Sequence, residues 1–318
     1  MLNVFKTTDH VLQPVPGNEP VKDSWIRLVN PSPDEIRTVC MATNVPEDFI
    51  RAALDEEERS RIEVEEQCML VLINIPILRG PDIYDTLPLG MILTPDNLIS
   101  VSLEDTAILP LSAGATTVSM PCSTSKRTRF LLQILYKNAT VFLKYIHQIN
   151  RQTDEIERHL RRSMNNKEVF QLLDMEKGLT YFTAALRTNG IVLDRLLRLR
   201  KSGNLQHLIP MFEEDEDILD DAIIENRQAL EMVQMYSDIL SGMMDAFTSV
   251  ISNNLNQVMK FLASITILIS IPTMISSFWG MNVAVPYLGQ EAGFWAVLVL
   301  SLLLTGLTWF VLWKKKML

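Results

Sequence analysis

The sequence predicts an α+β cytoplasmic domain, a mixed sheet with helices on its faces, followed by long helices and two C-terminal transmembrane helices. Three observations carry this. Up to residue 120, short β-rich runs alternate with capped helices. From residue 125 apolar residues recur at three- and four-residue spacing with charges between them. After residue 260 come two uncharged apolar runs, each close to the ~20 residues that span a ~30 Å hydrocarbon layer, and no such run precedes them.

Taken in order, residues 25–29 read as the first strand. Ser32-Pro33-Asp34-Glu35 then supplies an N-cap serine, a proline at the first helical position and a glutamate three residues on, a capping box that opens a helix. Pro46-Glu47-Asp48 starts a second helix, running to about residue 54, with acidic side chains at its positive end. Strands follow at 61–64, 69–75, 89–93 and 98–102, separated by Gly80-Pro81-Asp82 and Thr94-Pro95-Asp96-Asn97. These elements make up a domain of residues 1–120.

Residues 121–210 form a helical layer that breaks at Asn165-Asn166. Beyond Pro210 there is neither Gly nor Pro over residues 211–240, and only Gly242 before Pro272. A helix unbroken from there to residue 278 measures about 100 Å, so it must leave the membrane as a stalk, residues 211–260, before the first span at 261–279. A loop at 280–293, a second span at 294–313 and a basic tail at 314–318 complete the chain.

The first span covers about 28 Å as a helix, and the second closes with Trp309 and Trp313, which suit an aromatic interfacial belt. Two buried helices of a soluble core are the bland alternative; the runs exceed the ~10 to 14 residues typical of that case. Lys260 precedes the first span and Lys314, Lys315 and Lys316 follow the second, whereas the loop between carries only Glu291. Both termini are therefore expected in the cytoplasm and the protein in the cell inner (plasma) membrane, crossing it twice. Residues 1–10 lack a basic and apolar signal pattern, so export of the N-terminal bulk is not expected.

A net charge of −9 argues against nucleic acid as a partner and makes cations the natural thought. Cys40, Cys68 and Cys122 form no CxxC pair and read as small buried hydrophobes in a reducing compartment. His10, His147, His159 and His207 are scattered and show no zinc-ligand spacing. With no phosphate loop, nucleophile elbow or HExxH motif, no enzyme is expected.

Polar and small residues of the first span are ordered. Asn256, Met259, Ala263, Thr266, Ser270, Thr273 and Ser277 follow one another at steps of three and four, which is one helical face. Such a 3.5-residue repeat keeps the face toward a common axis when several helices supercoil, so several copies would enclose a pore. Small residues are also the ordinary packing residues of membrane helices, and that reading stays open. Pro272 releases the carbonyl of Leu268, which either faces the axis or accompanies a kink. At the outer end stands Gly280-Met281-Asn282, where glycine is expected to end the helix at positive φ and Asn282 to offer its side-chain carbonyl to solvent.

A Gly-Met-Asn tripeptide closing the first of two C-terminal spans resembles the CorA magnesium channels. Asn256-Gln257-Val258-Met259-Lys260 is similar to the family's cytoplasmic pore entrance, and Trp25-Ile26-Arg27-Leu28-Val29-Asn30-Pro31 looks like its N-terminal strand, so the likeness covers nearly the whole chain. Two departures stand out. Trp279 replaces the commoner Tyr, and residues 283–293 carry one acidic residue where many members carry more. The resemblance implies a funnel-shaped homopentamer in the lipid bilayer, with Gly280, Met281 and Asn282 as the outer selectivity ring and the stripe from Asn256 to Ser277 lining the pore. Magnesium sheds water reluctantly, so neutral amide oxygens contacting a still-hydrated ion fit that role.

Acidic residues crowd the start of the stalk: Glu213, Glu214, Asp215, Glu216, Asp217, Asp220, Asp221 and Glu225, with no basic residue among them. Alone, such a run reads as a solvated face. The resemblance places intracellular Mg2+-sensing carboxylates at Asp221 and Asp245, with Asp82 or Asp85 of the adjacent subunit as partner. Bound Mg2+ would hold the pore closed and its loss would open it. The expected cargo is Mg2+, with Co2+ or Ni2+ as further ions. Relatives with a similar tripeptide include zinc transporters, so Zn2+ in the same architecture is one alternative and a membrane-anchored cytoplasmic sensor another.

Overall fold

The computed structural model describes every residue except 9–10, 66, 111–122, 161–165, 201–207, 283–285, 288–289 and 317–318. His10, Cys122, Asn165 and His207 thus lie outside the described residues. The chain divides into two units, Met1–Ser241 and Gly242–Leu318.

In the first unit the described strands are β1 (Leu2–Thr8), β2 (Val11–Pro14), β3 (Ser24–Val29), β4 (Arg61–Val64), β5 (Met69–Leu78), β6 (Tyr84–Leu93) and β7 (Asn97–Ser102). They form one sheet in the order β2-β1-β3-β7-β6-β5-β4. β3 and β7 run parallel and the other neighbours antiparallel, so the sheet is mixed. The hairpin of β1 and β2 was not expected, because only Val4 of β1 is buried and no alternation marks the strand. The β5–β6 hairpin is longer than expected and runs on through Asn74↔Pro88 and Pro76↔Thr86, where two prolines interrupt the strand pattern.

Both faces of the sheet are covered. α1 (Pro33–Thr43) and α2 (Glu47–Ala52) pack on one side. The predicted capping box is present: the Ser32 hydroxyl accepts the Glu35 N–H at 3.3 Å while Glu35 accepts the Ser32 N–H at 2.8 Å. Glu35 also accepts the Leu2 N–H at 2.8 Å, which fixes β1. The other face lies under α3 (Arg127–Leu160), α4 (Asn166–Arg200) and the first turns of α5 (Glu213–Trp279). Along β5 the alternation is plain. Met69, Val71 and Ile73 join the core with the long helices, and Leu70 and Leu72 join the core with α1 and α2.

Trp25 is fully buried beneath α3, edge-on to Phe130 at 5.3 Å, and its Nε1 donates to the Ser100 hydroxyl at 2.9 Å. Two residues on, the buried Arg27 pairs with Asp105. α4 crosses β6 so closely that a Cβ on Gly178 would lie 2.8 Å from the Tyr84 Cβ. Asn189 ties the same helix to β5, accepting the Asn74 N–H at 2.9 Å and donating to the Asn74 carbonyl at 2.8 Å.

In the second unit α5 runs on through Pro272 to Trp279, and α6 spans Glu291–Lys314. Both contain stretches long and apolar enough to cross a membrane. Aromatic pairs stand at each end of α6: Phe294 with Trp295, centroids 5.6 Å apart, and Trp309 stacked on Trp313 at 6.2 Å. At 1.5 Å per residue Trp295 and Trp313 are about 27 Å apart, which matches two interfacial girdles.

Candidate ion pathway and metal sites

Between Lys260 and Trp279 the two sides of α5 differ. Ser264 and Ile275 are buried, and Leu268, Ile271, Pro272 and Trp279 are half-buried. These positions share one face, and α6 completes it. A crevice of about 490 Å³ is lined by Pro272, Ser276, Trp279 and Gly280 together with Gly293, Phe294, Val297, Leu298 and Ser301. The residues of the sequence stripe lie on the opposite face: Asn256, Met259, Ala263, Thr266, Ser270, Thr273 and Ser277 are all exposed. A shallow groove of about 540 Å³ follows them, lined by Thr266, Ile269, Ser270, Thr273, Met274, Ser277 and Phe278. Within its own unit, then, the stripe is not what packs α5 to α6.

The hydroxyls on the stripe turn their protons back to the helix. Thr266 donates to the Leu262 carbonyl at 2.8 Å, Ser270 to Ile267 at 2.9 Å and Thr273 to Ile269 at 3.0 Å. With the proton so used, each oxygen keeps acceptor capacity for outside donors such as the waters of a hydrated cation. Leu268 and Pro272 sit on the half-buried face, away from the stripe.

Gly280 departs from expectation. Gly17 is the only glycine at positive φ among the described residues. Gly280 instead continues the ladder, its N–H donating to the Ser276 carbonyl at 2.9 Å, and Met281 N–H follows onto Phe278 at 3.4 Å. The last carbonyls are taken by successive amides, so no left-handed residue is needed there. Met281 and Asn282 are exposed. Beyond them Tyr287, at φ 61°, places its carbonyl where a Cβ on Gly293 would come within 2.6 Å, so only glycine fits that turn of α6. Glu291 is exposed at the start of α6.

The four candidate regulatory carboxylates stand in different surroundings. Asp221 and Asp245 are exposed on α5. Asp85 accepts from Arg79 Nε at 2.9 Å, so a guanidinium already neutralises it. Asp82 is held by neutral donors, Gln152 Nε2 at 3.0 Å and Gln171 Nε2 at 2.8 Å. Beside it Tyr84 donates to Gln152 Oε1 at 2.8 Å. Burial pushes that phenol up to about 12, and the charge of Asp82 adds to the shift. Among the described residues no three His, Cys, Asp or Glu side chains form a group able to hold a metal.

The acidic start of α5 is not simply a solvated face. Asp215 is buried and Arg129 of α3 donates to it, a partner 86 positions away that the local sequence could not reveal. Cys68 is buried as expected, and burial, with Glu65 adding, pushes its thiol up to about 11. Cys40 is only half-buried, because its helix packs on the core by one edge. His147 and His159 are exposed on α3.

A model of the CorA-like Mg2+ transporter protein family matches residues 23–316. The chain belongs to that family. It is 24% identical over 283 residues to the cobalt/magnesium transport protein CorA of Methanocaldococcus jannaschii, which covers 88% of this chain and 86% of the relative. The complete structure of the CorA magnesium transporter from Methanocaldococcus jannaschii matches with a TM-score of 0.79 at 21% identity, covering 98% of this chain and 96% of that one. The full-length CmaX protein matches with a TM-score of 0.69 at 16% identity, covering 99% and 97%. These likenesses show a CorA fold from the sheet through the two apolar helices. CorA-like proteins are membrane transporters of divalent cations rather than enzymes.

Proposed function

We propose that the chain is one subunit of a funnel-shaped homopentameric channel that passes hydrated Mg2+, with Co2+ and Ni2+ as further cargo, across the cytoplasmic membrane. The observation that carries this is the uncharged, acceptor-bearing stripe exposed on α5 opposite its α6-facing side. Five such faces around an axis make a wet path lined by hydroxyl and amide oxygens. Asn282, with Gly280 and Met281, forms the outer selecting ring, and Lys260 and Lys314 to Lys316 keep both termini cytoplasmic. The cobalt and magnesium cargo named for the archaeal relative supports those ions over zinc.

Uptake into proteoliposomes tests the proposal. Mg2+ and Co2+ enter down their gradients without an imposed proton gradient. Uptake of Zn2+ alone, or a strict need for a proton gradient, overturns it.

Regulation rests on the same reading. Cytoplasmic Mg2+ bound between subunits screens Asp221 and Asp245 of one from Asp82 of the next and holds the closed arrangement. Asp82 suits the role better than Asp85, since amides orient it without cancelling its charge and Arg79 cancels that of Asp85. Asp221→Asn raises the internal Mg2+ concentration for half-inhibition by about tenfold, the effect of roughly 1.4 kcal/mol of lost binding. Unchanged inhibition removes Asp221 from the site.

A further inference from the structure

Glu214 and Asp215, adjacent residues in the first turn of α5, converge on one guanidinium: Arg129 Nε donates to Asp215 Oδ1 at 2.7 Å and Nη2 to Glu214 Oε2 at 2.6 Å. The Asp215 side chain is 2% exposed, and its second oxygen accepts the Phe212 N–H at 3.0 Å. A carboxylate so far from water needs a compensating positive charge at contact. We propose that Arg129 is a built-in counter-cation, a tethered charge that fastens the acidic root of α5 to α3 at any divalent-cation concentration, in the place a metal ion would otherwise take.

Three features support this. The planar fork of arginine serves two carboxylates at once, which a lysine ammonium does less well. Arg129 cannot retreat, because the next residue, Phe130, is fully buried against Trp25. The root cannot swing away either, because Leu219 and Ala222 are buried in the same core as Phe130. Mg2+ prefers the same hard oxygen ligands, but its occupancy would follow its concentration, whereas the tethered guanidinium stays. The root of α5 therefore moves with α3 as one body, and cation-dependent rearrangement is left to positions further along the helix.

Hydrogen–deuterium exchange on the full-length protein in detergent, read on peptides covering residues 212–219, which stop short of Asp221, tests this in excess EDTA and in saturating MgCl2. The wild type shows the same protection in both. Arg129→Gln exchanges at least about tenfold faster in EDTA, as expected for a locally opened root, and MgCl2 restores its protection. Arg129→Gln combined with Asp215→Asn is not restored. Arg129→Lys keeps a charge in place with little risk to folding, and its protection does not depend on Mg2+. The proposal is overturned by Mg2+-dependent protection in the wild type or in Arg129→Lys, by Arg129→Gln staying protected in EDTA, or by MgCl2 failing to restore it. Because the readout is local exchange and not flux, it stands apart from the channel proposal.

Discussion

Asn282→Ala lowers Mg2+ flux through the reconstituted protein by about 100-fold. In the proposed pentamer five Asn282 amides accept hydrogen bonds from the water shell of one ion, each with a net worth of roughly 0.5 to 1.5 kcal/mol. Losing five at the low end of that range removes about 2.5 kcal/mol, which is close to two factors of ten. Asn282 is exposed beyond the end of α5, so its removal leaves the packing of α5 on α6 intact. Flux of Mg2+ into liposomes, with the variant's oligomeric state checked by size exclusion, is the measurement. Flux within twofold of the wild type from an intact oligomer would take Asn282 out of the ion path.

Trp25→Ala destabilises the first unit by about 3 to 5 kcal/mol, the range for emptying a large buried aromatic site. The ring is fully buried, Phe5 and Phe130 lose their contact with it, and the Ser100 hydroxyl loses its donor. Because Trp25 stands on the parallel β3–β7 pair under α3, sheet and helical layer lose their shared support together. Met41→Ala, at a side chain 80% exposed on α1, serves as the control and stays within about 0.5 kcal/mol. Chemical unfolding of both variants followed by circular dichroism measures the difference. A loss below about 1 kcal/mol for Trp25→Ala would show that the site collapses without cost.

The sequence announced elements wherever one physical rule acted alone. The Ser32 and Glu35 box formed as read, and β3, β4 and β7 lie where alternating or apolar runs put them. Rules in conflict hid the rest. β1 is a half-exposed strand with a single buried side chain, so nothing periodic marks it. Pro76 and Pro88 read as breakers, yet both sit inside the paired region of β5 and β6. For the candidate site, the spacing of the small residues on α5 was legible because it depends only on helical pitch. The surroundings of Asp82 and Asp215 were not, because Gln152, Gln171 and Arg129 reach them from other elements. No local pattern encodes such meetings.

The place of β3 in the sheet bears on how the chain is made. β4, β5, β6 and β7 each pair with a strand adjacent in sequence, so they can zip up as they leave the ribosome. β3 pairs with β1 on one edge, but on the other Ser24 meets its β7 partner only once Asn97 has emerged. Until then the nascent N-terminal hairpin carries a bare strand edge, and Trp25 has only Phe5 against it before Phe130 is synthesised. At ~5 to 20 residues per second that wait lasts several seconds, time enough for holding chaperones to engage it. Both apolar helices are translated later still, so the sheet can close before any segment bound for the lipid has been made.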